Sequence, residues 1–321
     1  MKKTNINRNI PLLVLVIILA ILAVVTSIGT WRAANRPQKN ESLLHDPLSI
    51  YAFKYSENML SLDVGSPQVF VYDVSNDTVI YSKGQDKVIY PGSTTKLLTA
   101  LFSLEILSPD EIITPGNELE LVKKDSSVAF IKSYHRLTVE MLIEAMMIPS
   151  GNDAAYVLAA AAGKKLAEDE DLEGKTAVGV FMNGLRDYAT EIGLCGTSLT
   201  VPDGYDGREH YTTTEDMILV SKLVLENELI MRYTSKPKAS VVYASGHTNE
   251  WKNTNKLLDK ESAFYSKYVT GLKTGTVDGE CSLVISIEFD DGRSYIAGVF
   301  GSPDKNTRFY DALKIIDELN R

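Results

Sequence analysis

The sequence predicts an α+β fold, in which an antiparallel sheet is flanked by helices and joined to an all-helical lobe, with one transmembrane helix in front of both. Three observations predict it. A long apolar run near the N-terminus has the length of a membrane span. Alternating apolar residues, which are typical of strands, lie near the start and near the end of the remaining chain. Helical spacing of apolar residues fills the part between them, and helices packed on one sheet form a stable layered architecture.

The N-terminal segment is predicted to be an uncleaved membrane anchor. Three basic residues precede an uncharged apolar run over residues 10–31, and about 20 apolar residues span a bilayer core as a helix. A secretory signal has a shorter apolar region and a small-residue cleavage site, which does not closely follow this run. Basic residues flank both ends, so the charge bias on orientation is weak. We expect residues 1–31 to form a cytoplasmic tip and anchor, residues 32–47 a polar tether, and residues 48–321 the folded body.

The body begins with a predicted β-hairpin followed by a helix. In residues 67–84, Val69 and Val71 alternate with polar or aromatic neighbours, and Ser75-Asn76-Asp77 supplies the turn. Apolar residues then recur at helical spacing over residues 93–107.

Helices fill the middle of the chain, and strands return near its end. Residues 137–163 are predicted to form two helices, because Pro149 disfavours a continuous one. Residues 212–233 begin with a capping-box pattern, either Thr212 to Glu215 or Thr213 to Asp216. The other predicted elements are a helix over residues 175–193, two strands over residues 280–302 joined at Asp291-Gly292, and a closing helix over residues 306–320.

Composition excludes several classes of function. A net charge of −9 and a pI of about 5.1 provide no basic surface for phosphates, so no nucleic-acid partner is expected. The two cysteines, Cys195 and Cys281, are too few for a disulfide framework, and Cys281 lies in an apolar run typical of a core residue. The four histidines lack metal-ligand spacing, so neither a metal site nor a cofactor is predicted.

The first chemical motif is Ser93-Thr94-Thr95-Lys96. Residues three apart share a helix face, so the Lys96 amine can lie beside the Ser93 hydroxyl. A serine hydroxyl needs a neighbouring base to become a nucleophile, and a lysine serves only if its pKa is lowered. The helix N-terminus also offers N–H groups to an oxyanion. On its own, this spacing occurs by chance in many helices.

Two further motifs follow in order. Ser150-Gly151-Asn152 lies at the predicted helix break, where the hydroxyl can relay a proton and the amide can hold a substrate amide. Lys273-Thr274-Gly275-Thr276 is predicted to be an edge strand lining a cleft, with a cation, a hydroxyl for a carboxylate, and backbone groups for an extended peptide. On its own, the second motif is also consistent with an ordinary turn and the third with an ordinary strand end. The three motifs in the order S-x-x-K, S-x-N, K-T-G are a specific signature of one group of serine enzymes.

With these motifs, residues 65–321 resemble the serine D-alanyl-D-alanine carboxypeptidases, the low-molecular-mass penicillin-binding proteins. Supporting stretches are YPGSTTKLLTALFSLE, MMIPSGNDAAYVLA and Pro202-Asp203-Gly204. The resemblance implies a β-lactamase/transpeptidase-like fold. Together with the predicted N-terminal anchor, it indicates a single-pass protein of the bacterial cell membrane with an extracytoplasmic catalytic domain. Its expected partners are peptidoglycan stem peptides ending in D-Ala-D-Ala, with β-lactams as inhibitors.

The resemblance also assigns roles to individual residues. Ser93 would attack the penultimate D-alanine carbonyl, and Lys96 would take its proton. The N–H groups of Ser93 and Thr276 would form the oxyanion hole. The remaining expected roles are return of a proton to the leaving group for Ser150 and Lys273, amide binding for Asn152, and carboxylate binding for Thr274, with Arg308 near that carboxylate.

Alternatives within and outside this family remain open at this point. A class A β-lactamase would carry S-D-N and an E-x-x-L-N pattern, neither of which is present. A DD-endopeptidase would use the same residues as a carboxypeptidase. A non-catalytic penicillin-binding sensor would carry a cytoplasmic signalling part, and few residues precede the predicted anchor. The chain departs from the family at Val201, where an asparagine usually precedes the proline, and at Val277-Asp278-Gly279-Glu280, where an alanine-glycine pair often follows K-T-G. Glu280, close to the predicted active strand, is expected to alter substrate preference.

Overall fold

A computed structural model describes residues 53–321 of the chain. The predicted anchor and tether lie outside these residues. Within residues 53–321, no helix combines the length and apolarity that crossing a membrane requires.

One six-stranded sheet forms the centre of the described body. Its strands are β1 (Lys54–Tyr55), β2 (Gln68–Asp73), β3 (Thr78–Lys83), β8 (Val269–Val277), β9 (Glu280–Glu288) and β10 (Ser294–Ser302). Their order in the sheet is β1-β3-β2-β10-β9-β8, and all neighbours are antiparallel except the parallel pair β1 and β3. The predicted hairpins are both confirmed, and β8 is an edge strand.

Both faces of the sheet are buried, each against its own core. Along β2, Phe70 and Tyr72 pack into the core shared with the helical lobe. Val69 and Val71 point to the opposite face, where they pack with the closing helix. Successive side chains of a strand alternate between faces, so this short segment links two separate cores.

The helical lobe follows the predicted pattern with one difference. Residues 212–233 form two helices instead of one, because the Asn227 side chain caps a new start by accepting from Ile230 N. At the first start, the Thr213 side chain accepts from Asp216 N, the second of the two expected pairings. The helices are α1 (Lys96–Ile106), α2 (Val139–Met147), α3 (Asn152–Ala167), α4 (Gly174–Glu191), α5 (Thr214–Leu225) and α6 (Glu228–Thr234), and the closing helix is α7 (Thr307–Leu319).

Two small strand pairs were not expected from the sequence. They are β4 (Ile112–Ile113) with β5 (Leu137–Thr138), and β6 (Lys238–Val242) with β7 (Thr248–Lys252). Both cysteines are free thiols: Cys195 is exposed, whereas Cys281 is buried, as expected of a core residue.

Candidate active site

The turn that carries Ser93 lies directly before α1. Residues Gly92–Thr95 form a 3-10 turn, so Ser93 is on this turn rather than on the α-helix that the spacing predicted. Because residues three apart eclipse each other in a 3-10 turn, Lys96 still lies beneath Ser93. Gly92 has a φ of +52°, and a Cβ there would come within 2.9 Å of Thr276 N. A glycine therefore allows the turn to approach strand β8 closely.

The Lys96 amine is fully buried and has three oxygen neighbours. Its Nζ lies 2.7 Å from Ser93 Oγ, 2.7 Å from Asn152 Oδ1 and 2.9 Å from the Asp203 carbonyl oxygen. Burial disfavours the charged amine and lowers the Lys96 pKa to about 8, while the Asp203 and Asp153 carboxylates act in the opposite direction.

These neighbours orient the neutral amine. An amide oxygen and a peptide carbonyl oxygen can only accept hydrogen bonds. Asn152 Oδ1 and the Asp203 carbonyl therefore take the two N–H groups of a neutral Lys96, and its lone pair is left facing Ser93 Oγ. This geometry suits proton transfer from the serine to the amine.

The helix break places Ser150 against Lys273. Ser150 has a φ of +65°, a left-handed conformation that is costly for a residue with a Cβ and recurs at functional sites. Its hydroxyl accepts a 2.8 Å hydrogen bond from Lys273 Nζ, which also donates to the Thr274 carbonyl at 3.1 Å. Burial is the main cause that lowers the Lys273 pKa well below its ordinary value, and the cations Lys96 and Arg308 add to it.

A neighbouring loop fixes the start of α3, where Asn152 lies. Asn152 N donates to the Ser127 carbonyl at 2.8 Å. The buried Asp153 carboxylate accepts from Ala129 N at 2.8 Å and from Ile131 N at 2.9 Å. Asn152 is therefore held by backbone and side-chain contacts next to the Lys96 amine.

Strand β8 presents its free edge to the Ser93 turn. The turn between β8 and β9 has two residues at positive φ, Asp278 and Gly279. The pair that closes such a turn exchanges hydrogen bonds, and bonded and non-bonded pairs then alternate. Thr276, one position before the closing residue Val277, therefore directs its N–H away from β9. A Cβ on Gly275 would lie 3.2 Å from Ser93 N, so the backbones of turn and strand are in close contact.

Two threonine hydroxyls meet beside this edge. Thr274 Oγ1 and Thr254 Oγ1 are 2.6 Å apart. Thr254 N donates to the Ile148 carbonyl at 3.2 Å, which fixes Thr254 next to the helix break. Thr274 follows Lys273 in the sequence, and the two hydroxyls are donors of a kind suited to a carboxylate.

Arg308 lies behind β8. Its Nη1 donates to the carbonyl oxygens of Gly275, at 2.7 Å, and Ser282, at 3.0 Å. The guanidinium is buried. It thus supports the backbone of the K-T-G strand and adds positive charge beneath it.

The structure brings all seven predicted site residues together. The Asp203 carbonyl and the Thr254 hydroxyl belong to the same cluster, although the sequence does not single out their contacts. Asp203 was notable only within Pro202-Asp203-Gly204, and a carbonyl acceptor leaves no side-chain signal. Among residues 53–321, no group of three or more His, Cys, Asp or Glu side chains is arranged to hold a metal ion. The seven predicted site residues that the structure brings together are Ser93, Lys96, Ser150, Asn152, Lys273, Thr274 and Thr276.

Comparisons with a family model and with known sequences all point to the same family. A family model described as D-alanyl-D-alanine carboxypeptidase matches residues 55–304. The D-alanyl-D-alanine carboxypeptidase DacF of Bacillus subtilis is 28% identical over 256 residues, which are 76% of this chain and 60% of that protein. A D-alanyl-D-alanine carboxypeptidase of a Streptomyces species is 28% identical over 250 residues, which are 75% of this chain and 82% of that protein.

Solved structures share the same fold. A Streptomyces DD-transpeptidase superposes with a TM-score of 0.71 at 25% identity, covering 81% of this chain and 98% of that one. A penicillin-binding protein of Listeria monocytogenes, in its ampicillin-bound form, gives a TM-score of 0.65 at 26% identity. The match covers 82% of this chain and 100% of that one. The described body therefore has the mixed α/β fold of penicillin-binding proteins and transpeptidases.

Proposed function

The chain belongs to the D-alanyl-D-alanine carboxypeptidase family, and we propose that it removes the terminal D-alanine from peptidoglycan stem peptides through an acyl-enzyme on Ser93. One observation carries the proposal. The buried Lys96 amine lies 2.7 Å from Ser93 Oγ, and two fixed acceptors occupy its N–H groups. A serine with such a base can attack a carbonyl.

Acylation is the first half of the proposed reaction. Ser93 Oγ attacks the carbonyl of the penultimate D-alanine while Lys96 accepts the hydroxyl proton. The carbonyl oxygen becomes an oxyanion, which the N–H groups of Ser93 and Thr276 stabilise. Asn152 holds the substrate amide, and the substrate backbone pairs with the free edge of β8.

Departure of D-alanine and hydrolysis complete the reaction. As the C–N bond breaks, the proton that Lys96 took from Ser93 passes to the leaving amine through the Ser150 hydroxyl, which is hydrogen-bonded to Lys273 at 2.8 Å, and Lys96 is neutral again. The terminal carboxylate of the substrate binds at Thr274. Water then attacks the acyl-enzyme and gives up a proton to Lys96, which passes it to Ser93 Oγ as the ester bond breaks and the shortened peptide leaves. A β-lactam presents its ring amide to the same serine and acylates it.

Release of D-alanine tests this proposal. The full-length protein in detergent solution is incubated with a peptide ending in D-Ala-D-Ala, and free D-alanine is measured. We expect release by the wild type and none above background from Ser93→Ala. A Ser93→Ala protein that still releases D-alanine would overturn the assignment. Rapid penicillin turnover without D-alanine release would instead indicate a β-lactamase, and labelling without either activity would indicate a sensor.

We further propose that residues 10–31 anchor the enzyme in the bacterial cell membrane, with residues 48–321 outside the cytoplasm. The length and apolarity of this run support the anchor, and the peptidoglycan substrate lies on the outer side. Protease treatment of intact spheroplasts tests the orientation. The catalytic body should be degraded in intact spheroplasts, and its protection there would contradict the proposal.

A further inference from the structure

The Asp203 carboxylate is a buried acid to which the scheme above gives no role. The residue is 1% exposed. Its Oδ1 accepts a 3.1 Å hydrogen bond from Tyr205 N, whereas its Oδ2 has no hydrogen-bond partner among residues 53–321. A buried carboxylate with an oxygen that accepts no hydrogen bond destabilises a fold unless a nearby cation compensates. The buried Asp203 carboxylate therefore depends on a nearby cation for its stability.

That cation is Lys96. The Asp203 carbonyl oxygen lies 2.9 Å from Lys96 Nζ. The carbonyl and carboxylate oxygens of one aspartate are at most about 5 Å apart, so the carboxylate lies within about 8 Å of the amine. At such a distance in a protein interior, a single charge substantially shifts the protonation equilibrium of a neighbouring group.

The segment around Asp203 is fixed against the Ser93 turn. Gly204 has a φ of +74°, and a Cβ there would lie 1.9 Å from the Gly92 carbonyl oxygen and 2.6 Å from Thr95 Oγ1. The neighbouring Pro202 carbonyl accepts a 2.6 Å hydrogen bond from Thr99 Oγ1 on α1. Nucleophile, base and acid are therefore parts of one rigid arrangement.

The second acid near Lys96 is engaged elsewhere. Asp153 accepts hydrogen bonds from three backbone N–H groups, those of Ala129, Ile131 and Ala154. These bonds disperse its negative charge and tie it to the loop beside α3. The Oδ2 atom of Asp203 accepts no hydrogen bond from residues 53–321, so the charge of this carboxylate remains more available to the amine.

We propose that Asp203 is a positioning residue for acylation, whose negative charge sets the pH at which Lys96 becomes the base for Ser93. This inference rests on the proposed function and adds a residue to it. Without a neighbouring anion, burial and the nearby Lys273 would leave Lys96 neutral but weakly basic. A general base is most effective when its proton affinity matches the working pH, and Asp203 provides that match.

Other charged and titratable groups also face this pair. Asp206 and Tyr205 from the same loop and Tyr156 from α3 interact with the Asp203 carboxylate. Lys96 is also faced by Lys273 and by the buried His210. Burial lowers the Lys96 pKa, and the Asp203 carboxylate is the largest influence that raises it. Burial likewise raises the Asp203 pKa, and Lys96 is the largest influence that lowers it, so the two charges favour each other.

The pH profile of acylation tests the inference. Labelling by a fluorescent penicillin is measured against pH for the wild type, Asp203→Asn and Asp203→Glu. We expect Asp203→Asn to move the acidic limb down by about one pH unit, because the protonated amine loses its anion. Asp203→Glu keeps the charge and should retain the limb. Asp206→Asn, at an exposed position on the same loop, is the matched control and should leave the limb within about a few tenths of a unit.

Each outcome decides the question. An acidic limb of Asp203→Asn that is unmoved, or moved upwards, overturns the inference even if the rate falls at every pH, because a purely structural role lowers the rate without moving the limb. If Asp203→Asn does not fold, the smaller neutral variant Asp203→Ser should show the same downward shift. Absence of labelling in the wild type would overturn the proposed function and this inference together.

Discussion

At the scale of single residues, the chemistry depends on the charge of one buried amine. Lys96 combines complete burial with fixed acceptors in Asn152 and Asp203. The spacing of Ser93 and Lys96 predicts their contact, because it depends only on local geometry. The Asp203 carbonyl could not be predicted, since it depends on how a loop more than a hundred residues away packs on the turn.

The rate of acylation should follow the charge of Lys96. Only the neutral amine accepts the Ser93 proton, so we expect an acidic limb with an apparent pKa of about 8. Below that pH, each unit of acidification should lower the rate about tenfold. Labelling by a fluorescent penicillin across pH measures it. A limb near 10.5, the ordinary lysine value, would show that burial does not act on the base.

Two substitutions at Ser150 separate chemistry from backbone strain. Both Ser150→Ala and Ser150→Gly remove the hydroxyl that contacts Lys273, so both should lower turnover of the D-Ala-D-Ala peptide about 10²–10⁴-fold. Only glycine adopts the φ of +65° without strain. Ser150→Gly should therefore be about 1 kcal/mol more stable than Ser150→Ala by urea unfolding. Turnover that recovers in the glycine variant would contradict a role for the hydroxyl.

At the scale of secondary-structure elements, the apolar periodicity predicts both hairpins of the main sheet and the break between α2 and α3. It fails where few side chains are buried. In strands β6 and β7, only Val241 and Trp251 are buried, so the alternation is too weak to indicate a hairpin. It also fails at Asn227, where a local cap divides one apolar run into two helices.

The crossing of α3 and α4 should depend on one glycine. A Cβ on Gly163 would lie 1.9 Å from the Ala177 carbonyl oxygen, so Gly163→Ala must push the helices apart. We expect the free energy of unfolding to fall by about 1–3 kcal/mol. Gly179, on α4, has nothing within 4 Å of its Cβ position. Gly179→Ala should stabilise the protein by about 0.5–1 kcal/mol. Equal effects of the two changes in urea unfolding would contradict the close crossing.

His210 should make the fold sensitive to mild acid. It is buried behind the nucleophile turn, with Nε2 2.8 Å from Thr95 Oγ1, and its Nδ1 accepts from Thr200 N at 3.1 Å. Burial lowers the His210 pKa from 6.5 to about 4. Between pH 6.5 and about 4, the unfolded chain therefore binds a proton at His210 that the folded protein does not bind. The stability contribution is complete above pH 6.5 and is lost as the pH falls towards 4.

A substitution of His210 by a side chain that does not titrate measures this contribution. The stability difference between wild type and His210→Gln should change by about 3 kcal/mol between neutral pH and pH 4, in favour of the variant at low pH. A His210→Gln difference that stays constant with pH in urea unfolding would contradict the assignment.

At the scale of the whole molecule, the site is assembled from five separate segments. They are the Ser93 turn, the break before α3, the loop at Asp203, the loop at Thr254 and the edge strand β8. The order of the three motifs predicts this assembly through family resemblance, whereas no periodicity reveals which segments meet. The two cores on opposite faces of the sheet hold these segments in place, and the free edge of β8 gives an extended peptide access to them.

The most direct test of the central claim is the position of the covalent bond formed with penicillin. The full-length protein is labelled, digested, and the modified peptide is identified by mass spectrometry. We expect a single adduct on Ser93, absent from Ser93→Ala and slowed but still on Ser93 in Ser150→Ala. An adduct on any other residue, or undiminished labelling of Ser93→Ala, would contradict the account.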